Sequence, residues 1–287
     1  MLERSRGLSP AALTAIAELE RRVVRADGGR LKLEWGNLRA RPSDQVNDFL
    51  WWADDIDHQL LGFCGIYRFG GSDPEIAGMV DPEHRRRGIA SSLFDAVAAN
   101  LRDRAIGRGL LVVPRVSTAG RELAQQRGGV LDHSEHAMVL DGDPTDGPTD
   151  PDLSLRTATV DDAEPVGRIL KAAFEWTPPD LAGMLSRNTG DERTLVVEQR
   201  GVPVGTLRIT HDGDTGGIYG FAVDPAQQGR GIGRDVLRRS CRILRDEGMR
   251  RVGLEVAVEN ERALGLYTSI GFRPVTTEDY YALSFAS

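Results

Sequence analysis

A short segment in the second half of the chain, QGRGIG at residues 228–233, has glycines at alternate positions just before a stretch with helical periodicity. The first amides of a helix have no partner within it, and the helix dipole favours negative charge there, so an anion such as a pyrophosphate could approach the backbone. The GxGxG spacing differs from GxGxxG, and no Lys-Ser or Lys-Thr follows it as in nucleoside triphosphate loops. An ordinary tight turn between a strand and a helix explains the glycines equally well.

Further along the chain, Glu255 and Tyr267 could carry out the proton transfers that acyl transfer from a thioester to an amine requires. Such a reaction needs a base for the ammonium proton and an acid for the departing thiolate. Glu255 alternates with the apolar Val252, Leu254 and Val256, so its carboxylate is expected on a small, open strand face. Tyr267, with an ordinary pKa of about 10, would be protonated at neutral pH. The alternatives are an arginine-paired carboxylate and a tyrosine packed in a core.

The periodicity of the second half predicts the elements that hold these residues. Strands are predicted at 153–159, 217–225, 250–258 and 280–285, with two more inside 193–213 across a turn at Arg200 and Gly201. Helices are predicted at 161–174, where Asp161 is expected to cap the start, from about 231 to Gly248, and at 260–270. The result is a mixed α/β unit of ordinary domain size.

The first half repeats this pattern. VDPEHRRRGIA (80–90) aligns without a gap on VDPAQQGRGIG (223–233) at an offset of 143, which also places EHAMVL (135–140) on EDYYAL (278–283) and Gly128 on Gly271. The segment 141–152 consists only of Asp, Pro, Gly and Thr, which favour turns and extended chain. The sequence therefore predicts a tandem duplication: one α/β domain at 1–140, a linker at 141–152 and a second domain at 153–287.

QGRGIG fits the Q/R-x-x-G-x-G/A signature of the GNAT superfamily of N-acetyltransferases, and NERALGLYTSIGF (260–272) resembles the second motif of that superfamily. The resemblance implies acetyl-CoA as cosubstrate, held by the loop amides, with Val223 on the splayed strand that receives the pantetheine arm. The residues assigned to the coenzyme on this basis are Phe221, Ala222, Val223, Gln228, Gly229, Arg230, Gly231, Ile232, Gly233 and Asn260 in the second repeat, and Val80, Arg85, Arg86, Arg87, Gly88, Ile89 and Ala90 in the first.

The resemblance also bears on the catalytic residues. Tyr267 stands where the superfamily usually carries its acid, and LEVAVENERALGLYTSIGF is similar to ribosomal-protein alanine acetyltransferases, whose proposed base lies twelve residues before the tyrosine, as Glu255 does here. Many members instead carry a glutamate on the earlier strand, at the position that aligns with Gly217. The alternative bases are therefore Glu255, acting directly or through water, Asp214 and a backbone carbonyl.

The first repeat keeps the loop but not the proposed acid and base. At the common offset Asn260, Tyr267 and Glu255 correspond to Ser117, Ala124 and Val112. We expect a catalytically silent first domain that serves as scaffold, substrate wall or regulatory coenzyme site, or that gives structural support with an empty loop. The tandem arrangement resembles mycothiol synthases, which acetylate a cysteinyl amine on a sugar-inositol carrier. The predicted acceptor is a primary amine of a small metabolite or a peptide N-terminus; a non-catalytic acyl-CoA sensor is the alternative.

Composition excludes several other classes. A net charge of −7 argues against general nucleic-acid binding. Without a charged-then-apolar leader or an apolar run of about 18 residues, we predict neither a signal peptide nor a membrane span, and a cytoplasmic location. Cys64 and Cys241 are expected to be buried and reduced, and no histidine spacing predicts a metal site. Trp176, Tyr280 and Tyr281 are candidates for the acceptor mouth of the second domain, with buried positions as the alternative.

Overall fold

The computed structural model describes residues 1–41, 44–56, 58–69 and 73–285. The same order of strands and helices occurs twice, as the duplication predicts. The first half contains β1 (Leu2–Ser5), α1 (Pro10–Asp27), α2 (Trp35–Arg39), β2 (Asp48–Trp52), β3 (Leu60–Tyr67), β4 (Glu75–Val80), α3 (Ile89–Asp103), β5 (Arg108–Pro114), α4 (Thr118–Gln126) and β6 (Val130–Asp141). The second half contains β7 (Leu153–Thr157), α5 (Ala163–Phe174), α6 (Leu181–Ser186), β8 (Glu192–Gln199), β9 (Val202–Asp212), β10 (Thr215–Val223), α7 (Ile232–Asp246), β11 (Arg251–Ala257), α8 (Glu261–Ile270) and β12 (Arg273–Ser284). The predicted mixed α/β class is confirmed.

The chain forms two compact units. Unit 1 comprises residues 1–135 together with the chain from Thr276 onward, and unit 2 comprises His136–Val275. Most of β12 therefore belongs to unit 1, whereas the second part of β6 belongs to unit 2. These units are spatial groups; the limits of the sequence repeats, 1–140 and 153–287 around the linker 141–152, stay a prediction.

The sheet of unit 1 has the strand order β1-β2-β3-β4-β5-β12. Neighbours are antiparallel except β4 and β5, which are parallel and pair only at Glu75–Leu110 and Ile76–Leu111. Apolar side chains of α1 fill one core cluster and those of α3 fill another, because each helix carries an apolar stripe. The short parallel pairing leaves β4 and β5 free to diverge towards their C-terminal ends.

The sheet of unit 2 has the strand order β6-β11-β10-β9-β8-β7, with β6 contributing from His136. Parallel β10 and β11 pair from Thr215–Arg251 to Ile218–Leu254, and β7, β8, β9 and β10 pair antiparallel in succession. One face packs on α7 and α8, and α5 and α6 contribute to a smaller core cluster. The predicted linker is held along α7, where Arg238 Nε donates to the Thr145 carbonyl at 3.0 Å.

Local turn chemistry agrees with the sequence except at one cap. Arg200 and Gly201 have φ of 53° and 76°, the left-handed pair that a two-residue hairpin requires, and Gly248 with φ of 92° follows the end of α7. The prediction that Asp161 caps the following helix is wrong. Asp162 stands at the N-cap position of α5, but its carboxylate accepts instead from the Thr159 backbone amide at 2.7 Å, as part of a capping box on the 3₁₀ turn that precedes the helix.

Both cysteines are free and buried, as predicted. Burial raises the pKa of the Cys64 thiol and of the Cys241 thiol to about 12, so neither is a thiolate at neutral pH. None of the helices in the described ranges is long and apolar enough to cross a bilayer.

Candidate active site and coenzyme loops

The glycine loop of unit 2 connects β10 to α7. After a 3₁₀ turn whose start is capped by Asp224, Gly229 and Gly231 adopt left-handed φ of 80° and 85°. A Cβ built on either glycine meets no atom within 4 Å in the described part of the chain, so the loop surface is open to a ligand. The first helical amides, at Ile232 and Gly233, precede the bonds that Arg234 and Asp235 donate to the Gly231 carbonyl. This is the backbone arrangement that an anion needs.

The loop of unit 1 has the same backbone. Arg86 and Gly88, the equivalents of Gly229 and Gly231, have left-handed φ of 62° and 82°. The side chain just before the two left-handed residues of each loop bonds in the same way: Arg85 Nε donates to the Val80 carbonyl at 3.2 Å, and Gln228 Nε2 donates to that of Val223 at 2.9 Å. The gapless sequence alignment of the two loops is thus also a structural equivalence.

Unit 1 contains a cavity of about 650 Å³ where β4 and β5 diverge. Of the residues assigned to the coenzyme in this repeat, Val80, Arg85, Arg86, Gly88, Ile89 and Ala90 line it. Arg87 is not among the described lining residues; its Nη2 donates to the Glu83 carbonyl at 3.4 Å. Arg85 is also held by Asp27, the last residue of α1, at 2.8 and 2.6 Å. The sides of the cavity are apolar and one end carries arginines, which suits a coenzyme with an apolar arm and phosphates.

In unit 2 the corresponding divergence follows the Ile218–Leu254 pair, and Glu255 is the next residue on β11. The strand alternates as predicted: Val252, Leu254 and Val256 are buried, and the side chain of Glu255 is half-buried on the other face. On β10 the register with β9 shifts between Tyr219 and Ala222, which marks a β-bulge beside the divergence.

Tyr267 lies on α8 and is 8% exposed. Burial raises the pKa of its phenol to about 12, and its ring centroid lies 6.1 Å from that of Phe272. Among the described residues none is hydrogen-bonded to its hydroxyl, so the proton is available to a ligand. Tyr267 shares a core cluster with Val223 and Ile232, which bracket the glycine loop.

Phe221, Gly233 and α8 come together in unit 2. A Cβ built on Gly233 would lie 3.6 Å from the Leu266 side chain and 3.9 Å from that of Phe221. Gly233, in the first turn of α7, therefore lies close both to the bulged strand and to the helix that carries Tyr267. Asn260 caps α8 by accepting from the Ala263 amide at 3.0 Å, and Ser117 caps α4 of unit 1 in the same way.

The alternative bases differ in their surroundings. Asp214 is paired with Arg251 at 2.8 Å, and the hydrogen bond from that guanidinium lowers the pKa of the carboxyl, which makes it a weaker proton acceptor. A Cβ built on Gly217 would lie 2.5 Å from the Tyr219 ring and 2.6 Å from Thr210 Oγ1, so a side chain there would require these two neighbouring side chains to move.

The strand register identifies a residue that sequence alignment missed. Gly217 is paired with Thr210 and Gly253, and in unit 1 the residue paired with their equivalents, Tyr67 and Leu110, is Glu75. A gapless offset aligns Gly217 with Pro74 instead. The β-bulge in β10 adds one residue on that strand, while β3 and β4, as described, pair without a shift. The sequence feature that indicates the bulge is the glycine inside the strand, Gly220, which has a left-handed φ of 54°.

The three aromatic candidates for the acceptor mouth lie in different units of the protein. Trp176 is 43% exposed and belongs to unit 2. Tyr280 and Tyr281 are buried in unit 1, because β12 pairs there with β5. Of the two alternatives for these tyrosines, the acceptor mouth or a buried position, the structure shows the buried one.

Comparison with known proteins defines the class. An acetyltransferase (GNAT) family model matches residues 163–272, and a second GNAT domain model matches residues 47–128. Among solved structures, a GCN5-related N-acetyltransferase from Sphaerobacter thermophilus has a TM-score of 0.81 at 20% identity, with 100% of this chain and 96% of that one covered. A tandem GNAT protein from the clavulanic acid biosynthesis pathway has a TM-score of 0.73 at 15% identity, with 100% and 99% covered.

The sequence relatives point the same way. The chain is 30% identical to the mycothiol acetyltransferase of Kineococcus radiotolerans over 93% of this chain and 92% of that protein. It is 29% identical to the mycothiol acetyltransferase of Catenulispora acidiphila over 98% and 91%. The chain belongs to the GNAT family of acetyltransferases, in its tandem form, and is similar to mycothiol acetyltransferases. GNAT acetyltransferases use acetyl-CoA, so the coenzyme assignment made from the sequence is consistent with the family.

Proposed function

We propose that unit 2 transfers the acetyl group of acetyl-CoA directly to a primary amine, with Tyr267 as general acid and Glu255 as general base. The observation that carries this proposal is the position of Tyr267. It packs in one core cluster with the residues that bracket the glycine loop, and burial keeps its phenol protonated. Glu255 supports the proposal because it is the first residue of β11 beyond the last parallel pair.

The proposed reaction is balanced by these two groups. Acetyl-CoA supplies an activated thioester carbonyl. Glu255 accepts a proton from the ammonium group of the acceptor, and the nitrogen lone pair then forms a bond to the carbonyl carbon. The carbon–sulfur bond breaks, its electron pair leaves with sulfur, and Tyr267 donates the proton that makes the thiol. The second proton lost by nitrogen restores the phenol, and Glu255 returns its proton to solvent.

The coenzyme would be held by main-chain and side-chain groups of the loop. In the proposal the amides of Gly229, Arg230, Gly231, Ile232 and Gly233 face the pyrophosphate, with Gln228 holding the loop to β10. Phe221, Ala222 and Val223 form the strand edge along the pantetheine arm, and Asn260 adds a polar contact. Left-handed Gly229 and Gly231, with open space where Cβ atoms would be, support this assignment.

Unit 1 is proposed as a second coenzyme site that does not catalyse transfer. Its loop has the backbone of the unit 2 loop, and its cavity of about 650 Å³ is lined by most of the predicted residues. At the places of the acid and the base it has Ala124 and Val112, both buried and apolar. A site that binds the coenzyme without turnover would suit a regulatory or supporting role.

The proposed acceptor is the primary amine of a small metabolite. Similarity to mycothiol acetyltransferases over nearly the whole chain supports a cysteinyl amine on a sugar-inositol carrier as the first compound to test. The exposed Trp176 in unit 2 offers a flat apolar surface of the kind that packs against a sugar ring. A peptide N-terminus is the second candidate.

The test is thiol release from acetyl-CoA across a panel of sugar-linked cysteinyl amines, simple amino sugars and short peptides. We expect one amine class to be acetylated, and Glu255→Gln to reduce kcat roughly 10²–10³-fold because the base is removed. Glu259→Gln, a change at an exposed carboxylate four residues away, should leave kcat unchanged.

Two outcomes would overturn the proposal. Tight coenzyme binding without turnover on any amine would indicate an acyl-CoA sensor. Equal kcat values for Glu255→Gln and Glu259→Gln would show that Glu255 is not the general base.

A further inference from the structure

Unit 1 holds a buried cluster of charged and polar side chains that the coenzyme loops do not use. Lys32, in the segment between α1 and α2, is 8% exposed. Its Nζ lies 3.5 Å from Glu75 Oε2 and 3.4 Å from Glu135 Oε2, and it donates a hydrogen bond to the Tyr280 hydroxyl. The chain has only two lysines, Lys32 and Lys171, among its 36 lysines and arginines.

The Tyr280 side chain organises the other side of the cluster. Its hydroxyl donates to Glu135 Oε2 at 2.6 Å, and its ring stacks on His133 with the centroids 4.2 Å apart. Lys32 Nζ also lies 5.0 Å from the centroid of the Tyr280 ring. An ammonium group is thus surrounded by two carboxylates, a phenol oxygen and an aromatic face, which are the groups that recognise a primary ammonium ion.

The cluster adjoins the cavity of unit 1. Leu31, the residue before Lys32, lines the cavity, and so does Val112, the strand partner of Tyr280. Glu75 lies at the parallel pair beyond which β4 and β5 diverge. The cluster's own side chains are not among the described lining residues, but their neighbours in the chain and in the sheet are, so the ammonium group lies close to the wall of this cavity.

Charge determines what this cluster can bind without its lysine. Glu75 and Glu135 are 18% and 26% exposed, so removal of Lys32 would leave two poorly solvated carboxylates close together. Such a pair is costly unless another cation replaces the ammonium. A primary alkylammonium ion can offer the same N–H donors, whereas a quaternary ammonium ion or an alcohol cannot replace both charge and donors.

We propose that Glu75, Glu135 and Tyr280 form a primary-ammonium site in unit 1, and that Lys32 fills this site from within the chain. While Lys32 is in place, an external amine cannot enter, so unit 1 can hold a coenzyme without presenting an acceptor to it. The site stands on the geometry of unit 1 and does not depend on acetyl transfer in unit 2.

The test is chemical rescue of Lys32→Ala, which removes a group equivalent to n-propylamine. We expect this variant to unfold roughly 5–10 °C below the wild-type protein, because one partner of a buried ion cluster is lost. Millimolar n-propylammonium chloride should restore about half of that loss or more by binding the folded state. Tetramethylammonium chloride and 1-propanol should not, and wild type and Lys171→Ala should respond to none of the three.

Equal responses to n-propylammonium and tetramethylammonium, or a folded Lys32→Ala protein that ignores both, would overturn the proposal. If Lys32→Ala does not fold, nuclear magnetic resonance of ¹⁵N-lysine-labelled wild-type protein decides. The proposal predicts an Nζ signal for Lys32 whose hydrogens exchange with water much more slowly than those of Lys171, and loss of this protection in Glu75→Gln. Equally fast exchange at the two lysines would contradict it.

Discussion

The two glycine loops share one backbone but differ in the chemistry around them. Each begins with an aspartate that caps a 3₁₀ turn and reaches its helix through a left-handed glycine, Gly88 in unit 1 and Gly231 in unit 2. A later helix of unit 2, α8, carries Tyr267, whereas its counterpart in unit 1, α4, carries Ala124. A loop of this shape therefore indicates where an anion can bind and does not by itself indicate catalysis.

The polar groups near the two strand divergences differ as well. Unit 2 has Glu255 on β11 and a glycine, Gly217, on β10. Unit 1 has the apolar Val112 on β5 and a carboxylate, Glu75, on β4, where Lys32 already binds it. In our account the unit 2 carboxylate acts on an external amine, and the unit 1 carboxylate holds an internal one.

The largest expected effect comes from the proposed acid. Tyr267→Phe should lower kcat roughly 10²–10⁴-fold, since a general acid contributes about that factor, while the ring still fills the core. Thiol release at saturating acetyl-CoA measures this change in kcat. Tyr281→Phe, a buried tyrosine in unit 1, is the matched control and should retain activity. Comparable rates for the two variants would place the acid elsewhere.

The next effect concerns a position that differs between the repeats. Arg238 in α7 is 6% exposed and bonds the linker carbonyl of Thr145, whereas its equivalent in α3, Asp95, is largely exposed and pairs with Arg127 at 2.6 Å. We expect Arg238→Ala to lower the free energy of unfolding by about 2 kcal/mol, and Asp95→Ala by less than about 1 kcal/mol. Urea unfolding measures both, and a loss for Arg238→Ala no larger than that for Asp95→Ala would contradict a stabilising role of the linker contact.

A smaller effect should appear at high pH. Burial raises the folded-state pKa of Tyr267 from 10.0 to about 12, so its neutral form is favoured in the folded protein. The resulting stability is fully present below pH 10, decreases as the pH rises and is lost above about 12. Urea unfolding should show the wild-type protein losing stability faster than Tyr267→Phe between pH 10 and 11, by at most about 1.4 kcal/mol per pH unit. Identical slopes would contradict this burial.

The smallest effect concerns backbone strain in unit 1. Arg86 adopts the left-handed conformation that glycine has at the equivalent position of unit 2, at a cost of roughly 1–2 kcal/mol for a residue with a side chain. Arg86→Gly should therefore raise the free energy of unfolding by up to about 1 kcal/mol, because glycine also increases the freedom of the unfolded chain. It should also weaken coenzyme binding to unit 1 through loss of a positive charge. Decreased stability would show that the loop is not strained.

Much of this architecture could be predicted from the sequence because it depends on local patterns. The repeat offset, the hairpin at Arg200 and Gly201, the buried cysteines and the alternation around Glu255 all follow from residue type and spacing. The equivalence of the two glycine loops was also visible, since no insertion separates the aligned residues.

Other features depend on pairings that sequence spacing does not contain. The bulge in β10 shifts the register by one residue, so counting from the loop aligned Gly217 with Pro74 and overlooked Glu75. The pairing of β12 with β5 puts Tyr280 and Tyr281 in unit 1, although they lie at the end of the second repeat. The cluster around Lys32 joins residues 248 positions apart, and such contacts are decided by the tertiary fold.

The most direct test of the account compares reciprocal loop variants, Gly231→Val in unit 2 and Gly88→Val in unit 1. A β-branched residue is strained at a left-handed φ, so each change should disrupt one loop. Steady-state transfer to the preferred amine should fall at least 100-fold in Gly231→Val, and kcat in Gly88→Val should remain close to wild type. Loss of transfer in Gly88→Val, with Gly231→Val still active, would contradict the assignment of catalysis to unit 2.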